Sequence, residues 1–224
     1  MRGANRHEGR GGWRLQDYFS AASYNAVSNP FYNSSGSRFD LAYYLSSTSQ
    51  SAPHAVLIHL GINDVFGATS DAAVNSIMDT FVDQLSRIIG LTSDAAVGAI
   101  QEVSASIVTI IALPIPPTAW QSAFGYDYGA GQTLARYRRN ITLAAYRIRT
   151  AFAGLEASNV YLLGWNASVD PVNSFPTVSE AANAQTATTV TRGTNSVHPA
   201  TAGYNQMGDA LFACLNWLAA KGKI

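Results

Sequence analysis

Residues 55 to 64, AVLIHLGIND, decide the reading of this chain. Ala55, Val56, Leu57, Ile58 and Leu60 make a short apolar run after Pro53, rich in β-branched residues and closed by Gly61. Such a run predicts a strand buried on both faces, the kind found in parallel sheets covered by helices. Ligands of those sheets bind beyond the carboxyl ends of the strands, where Gly61-Ile62-Asn63-Asp64 stands. Gly61 permits a sharp exit, and Asn63 can then aim an amide donor into the cleft. The plainer reading, an ordinary Asn-Asp turn after a strand, fits these four residues equally well.

Outward from this stretch, strand and helix alternate. Val74, Ile77, Met78, Phe81, Leu85, Ile88 and Ile89 repeat at helical spacing, with Ser70 or Asp71 to cap the start and Gly90 the end. A shorter helix is expected over Ser93 to Val103, and a second buried strand over Ile107 to Leu113. Pro114, Pro116 and Pro117 force an extended exit from that strand. Leu134, Tyr137, Ile141, Ala145, Ile148 and Phe152 mark a third helix that ends near Gly154. Val160 to Leu163 is a third strand. Trp165 to Val197 reads as a long loop, functional or disordered by its length. Tyr204, Met207, Leu211, Cys214, Leu215 and Leu218 give a last helix. Before the central strand, Trp13 to Phe19 is amphipathic, residues 24 to 37 are turn-rich, and Phe39 to Leu45 suggests a short helix. The alternation predicts an α/β fold with a parallel sheet, as one domain over residues 1 to 224.

Composition agrees with a globular chain of 224 residues: 47% hydrophobic, 12% charged, with Lys plus Arg equal to Asp plus Glu at 14 each. A neutral balance gives no electrostatic case for a nucleic acid or an anionic membrane. The longest apolar run, Ile107 to Leu113, is too short to span a bilayer. The polar, Arg- and Gly-rich opening residues do not read as a signal peptide. One cysteine, Cys214, excludes an internal disulfide and sits in an apolar helical stripe, as core does. No cofactor or metal is expected.

Chemistry-bearing residues cluster at a few points. Gly11-Gly12 allows a tight turn with amides aimed at an anion or oxyanion, although a plain turn explains it from composition alone. The aromatics Trp120, Phe124, Tyr126 and Tyr128 lie in a Gly-rich loop, where they either stack on sugar rings or pack on one another. His54 and His59 flank or lie in the first strand and read as structural; His7 has no obvious partner. His198, before Pro199 at the end of the long loop, should face the same cleft as Asn63. It is a general-base candidate, beside the reading of an ordinary surface histidine.

Taken in order, Gly11-Gly12-Trp13, Gly61-Ile62-Asn63-Asp64, and Val197-His198-Pro199 with Gly203-Tyr204 resemble the blocks of the SGNH hydrolases, also called GDSL esterases and lipases. The resemblance runs through nearly the whole chain and is specific as a combination; each block alone is weak. It implies a flavodoxin-like three-layer α/β/α fold and the cleavage of acyl or acetyl esters, with carbohydrate esters as the substrate guess. It implies that Gly12 gives a backbone amide, and Asn63 a side-chain amide, to an oxyanion hole, and that His198 is the base for a serine. Trp120, Tyr126 and Tyr128 would then bind substrate.

The chain departs from that pattern twice. No Gly-Asp-Ser occurs; Gly208-Asp209 is followed by Ala210. The serine block should precede the glycine turn by a few tens of residues, and the family's first strand and most of its second would be absent with it, unless Arg6 to Glu8 is a remnant. We therefore expect a truncated product or fragment ahead of a natural non-catalytic homologue. Asn195 stands where the family usually has an Asp, three residues before the histidine. A neutral amide can accept a hydrogen bond from His198 but cannot stabilise imidazolium as a carboxylate does. A backbone carbonyl or, more weakly, Asp170 is the alternative orienting group. The competing function is a non-catalytic carbohydrate-binding or structural module. A flavodoxin-like nucleotide binder fits poorly, because neither a Walker pattern nor GxGxxG is present.

Overall fold

The computed structural model describes residues 8–21, 23–24, 27–92, 97–126 and 131–224. Its centre is a three-stranded parallel sheet with helices packed on it.

The chain enters through a 3-10 helix, Leu15–Phe19, and two short antiparallel pairs, β1 (Ser23–Tyr24) with β2 (Val27–Ser28) and β3 (Tyr32–Asn33) with β4 (Arg38–Phe39). Helix α1 (Leu41–Ser47) follows, capped by Asp40, whose carboxylate accepts the Tyr43 amide at 2.9 Å. Asn33 and Arg38 also donate to Asp40, at 3.1 Å each. Burial pushes this carboxyl up, but the Tyr43 amide, Asn33 and Arg38 outweigh it and hold it below the ordinary carboxylate range. Gly98 lies so close that a Cβ there would sit 2.6 Å from the Asp40 carboxylate.

Strands β5 (Ala55–Ile58), β6 (Val108–Ala112) and β7 (Val160–Leu163) pair in the order β5-β6-β7, all parallel. Ala55 pairs with Val108, and Thr109 with Val160. Between β5 and β6 run α2 (Ile62–Val65), α3 (Asp71–Ile89) and α4 (Ile100–Val103); α5 (Leu134–Phe152) joins β6 to β7. The three expected strands are there, parallel in one sheet. The expected helix from Ser93 is limited to α4, with residues 93–96 outside the described residues.

Capping explains helices α3 and α5. Ser70 Oγ accepts the Ala73 amide at 3.1 Å, and Gly90 ends α3 in the left-handed region at φ 98°. Thr133 Oγ1 accepts the Arg136 amide at 3.2 Å at the start of α5. Their apolar stripes, with Phe81, Leu85, Tyr137, Ile141 and Ile148, meet Ile111 and Val160 on one sheet face. Asp71 joins the two helices through Arg136 and Arg139, as Asp79 does through Arg147. The opposite face, Val108, Ile110, Ala112, Tyr161 and Leu163, is covered by Met207 and Leu218 of α7 (Thr201–Ala220). No helix among the described residues is long and apolar enough to cross a membrane.

Two segments differ from the sequence reading. The stretch read as a long loop holds a helical turn, α6 (Trp165–Ser168), and an antiparallel hairpin, β8 (Thr177–Ala181) with β9 (Thr189–Gly193). Thr-rich, mostly exposed strands lack the apolar alternation that announces a strand. The run at 55 to 60 is not doubly buried: β5 is the sheet edge, and Leu57 is 38% exposed. The doubly buried strand is β6, whose five residues are all buried.

Candidate active site

The carboxyl end of β5 is built by Gly61, which turns the chain at φ 104°. A Cβ at Gly61 would lie 3.3 Å from Pro114, at the exit of the neighbouring strand β6. A left-handed residue packed this closely leaves glycine as the fitting choice. Helix α2 starts immediately, so Asn63 and Asp64 stand above the sheet end.

Both side chains reach back to the glycine turn. Asn63 Nδ2 donates to the Trp13 carbonyl at 3.1 Å, across 50 residues of sequence. Asp64 accepts the Leu15 amide at 2.9 Å and the Gly61 amide at 3.2 Å. Gly12 takes the left-handed conformation, φ 78°, which the turn into buried Trp13 requires. The structure thus brings Gly12-Trp13 and Asn63 together. A carboxamide has two N–H donors; one is spent on Trp13, and Asn63 is an exposed residue that can offer the other to a ligand. Burial pushes the Asp64 carboxyl up, against the downward pull of the Leu15 and Gly61 amides. Asp64 is the clamp between the two blocks, a role that reading it as a turn residue misses. The available signal is an acidic side chain three residues after a helix-starting glycine, the capping-box spacing.

His198 arrives from the other side. The Thr118 amide, six residues past β6, donates to the Ser196 carbonyl at 3.2 Å. Asn195 Oδ1 accepts the amides of Val197 at 3.0 Å and His198 at 2.8 Å, and Val197 packs on the main core. These contacts put the His198 loop at the same end of the sheet as Asn63. Partial burial pulls the imidazole below the ordinary histidine value, which favours the neutral form that a general base needs.

The sequence offers Asn195 as a partner for the imidazole; its side-chain carbonyl caps the loop backbone as an Asx turn, the commonest use of Asn at that position. Asp170 accepts Asn173 Nδ2 at 2.8 Å and the amides of Val172 and Asn173 at 2.7 and 3.2 Å. The Asn173 side chain first, then these amides, hold its carboxyl below the ordinary range within its own turn.

Trp120 and Tyr126 each make a hydrogen bond within the chain. Trp120 Nε1 donates to the Val172 carbonyl at 3.0 Å, and the Tyr126 hydroxyl donates to Glu180 at 2.7 Å. Glu180 raises the Tyr126 phenol through that bond. Tyr128 lies outside the described residues. Among the described residues no group of three or more His, Cys, Asp or Glu could hold a metal ion. Compared with known proteins, the chain matches no family model, no curated protein and no solved structure.

Proposed function

We propose that this chain is the oxyanion-and-base portion of a serine ester hydrolase of the SGNH type, flavodoxin-like in fold, acting on acyl or acetyl esters, with carbohydrate esters as the substrate class. The observation that carries the reading is the stitch between two distant blocks: Asn63 Nδ2 on the Trp13 carbonyl, beside a left-handed Gly12. An oxyanion hole needs donors fixed before the reaction begins, and this bond fixes one of them. The Thr118–Ser196 bond, which ties the His198 loop to the segment leaving β6, supports the reading.

The 224 residues hold no Gly-Asp-Ser, so on this reading the nucleophile is supplied from outside them. Edge strand β5 has room for one: its outer side has no strand among the described residues, and Leu57 is open beside it. In the assembled site the serine oxygen attacks the acyl carbon while its proton passes to His198. The carbonyl oxygen becomes an oxyanion and accepts from the Gly12 amide and Asn63 Nδ2. Collapse breaks the ester bond, and the imidazolium returns the proton to the leaving alcohol. Water repeats the sequence on the acyl-serine. The chain alone, with a base and nothing for it to activate, does not turn over esters.

The test is hydrolysis of p-nitrophenyl acetate by the 224-residue chain and by the same chain carrying an upstream strand that ends in Gly-Asp-Ser. Only the extended form should be active. His198→Ala should abolish its activity, and Asn63→Ala should cost about 100-fold or more in kcat. An inactive extended form, or activity in the short chain that His198→Ala removes, overturns the reading.

A further inference from the structure

Four residues separate the end of β9 from His198, and the path is fastened at two points, Gly193 and Ser196, to the segment that leaves β6. Gly193, the last residue of β9, backs onto Trp120: a Cβ there would sit 2.5 Å from Trp120 Cβ and 3.2 Å from Ala123 Cβ. The Ser122 hydroxyl accepts the Gly193 amide at 2.9 Å and donates to the Gly193 carbonyl at 3.3 Å. A hydroxyl is both donor and acceptor, so one side chain does for Gly193 what a neighbouring strand would do. Beyond it, Thr194 N–H donates to the Pro176 carbonyl at 3.0 Å and Thr118 N–H to the Ser196 carbonyl at 3.2 Å, and Asn195 caps the His198 amide. The rest of the hairpin is mostly exposed.

We infer that Ser122 is a positioning residue for His198: its two bonds to Gly193, with the Trp120 contact, set where the histidine loop leaves the hairpin. The inference rests on the ester-hydrolase reading for its catalytic consequence. Residues 118–126 follow the central strand, so this clasp references the histidine to the fully buried β6. Trp120 and Tyr126 belong to the same fastening, through Val172 ahead of β8 and Glu180 within it. No sequence-local signal announces it, because 71 residues separate Ser122 from Gly193.

The test uses the 224-residue chain first. Diethyl pyrocarbonate modification of His198, resolved by peptide mass spectrometry with the other histidines as internal references, should quicken several-fold in Ser122→Ala and in Gly193→Ala. Amide exchange over residues 194–198 should quicken with it, and Ser122→Thr, which keeps the hydroxyl, should restore the wild-type rates. In the form extended with Gly-Asp-Ser, Ser122→Ala should lower kcat about tenfold with KM unchanged, as a small displacement of a reacting group does. A merely structural serine would lower Tm and leave kcat alone. Unchanged His198 reactivity and loop exchange in both Ser122→Ala and Gly193→Ala overturn the inference. If the extended wild type has no esterase activity, the hydrolase reading falls, and the modification and exchange rates still decide whether Ser122 positions His198.

Discussion

Strands β5 and β6 look alike on paper and live in different places. AVLI and VTIIA are both short, apolar and β-branched. All five residues of β6 are buried between α3, α5 and α7; β5 holds one edge of the sheet, with Leu57 38% exposed. Period-2 side chains make the difference legible face by face. Val56 and Ile58 pack on the core shared with α3 and α5, while Ala55 and Leu57 look toward the α7 side, where the cover stops short of Leu57. β5 thus carries the composition of a buried strand while Leu57 stands open, at an edge that no strand among the described residues covers.

The sharpest break of this comparison is in the centre. Ile110→Ala removes a side chain 1% exposed, in contact with the α7 cluster. It should cost about 2 to 5 kcal/mol in urea unfolding, the range for a large-to-small change in a core that cannot collapse. A loss below about 1 kcal/mol would mean that the α7 face is loosely packed and that the two strands differ less than their burial says.

What the sequence told and what it withheld follow the same line. Helices α3 and α5 were legible because their caps and 3.6-residue stripes are local signals that tertiary contacts reinforce. The three parallel strands were legible from apolar runs of the right length. That β5 is the edge was not, since burial depends on neighbours and no residue of the run records which of them are present. The hairpin β8–β9 escaped because its Thr-rich strands bury little. At the candidate site, Gly12, Asn63 and His198 were nameable from blocks of residues, whereas the Asp64 clamp and the Ser122 buckle depend on partners 49 and 71 residues away.

The exit of β5 carries a pH-dependent effect. His59 follows the strand, packs edge-on against Trp165 with ring centroids 4.8 Å apart, and has a buried Nε2 with no hydrogen-bond partner. Burial pulls its value from 6.5 down to about 4. A folded value below the unfolded one means that the unfolded chain takes up the proton first. The contribution is therefore whole above pH 6.5 and drains away as pH falls toward 4. Wild type should lose on the order of 2 kcal/mol more than His59→Phe between pH 7 and pH 4.5, read as the difference in urea midpoints. Parallel pH profiles for the two proteins would show that water or a neighbour already satisfies the ring.

Asp64 ties the same exit to the entering chain. Asp64→Ala leaves the Leu15 and Gly61 amides without their acceptor and should cost about 1 to 3 kcal/mol, with faster amide exchange at Leu15. Asp64→Asn keeps one acceptor and sheds the buried charge, so it should cost less. Equal losses would place the weight on the second carboxylate oxygen and its bond to Gly61.

The smallest expected effect is the most telling. Leu57→Ser replaces an apolar side chain that is 38% exposed, on a strand with one open edge. In the 224-residue chain the loss should stay within about 1 kcal/mol, because little area leaves water there on folding. In the form extended with a strand ending in Gly-Asp-Ser, the same substitution should cost distinctly more, since the added strand would close over Leu57 and turn β5 into an interior strand like β6. The measurement is the urea midpoint of the short and the extended chain, each with and without Leu57→Ser. Equal costs in both backgrounds would mean that the extension does not dock on β5, and the nucleophile would have to enter by another edge. A large cost in the short chain, with a sedimentation profile above monomer, would mean that copies of the chain already cover this face with one another.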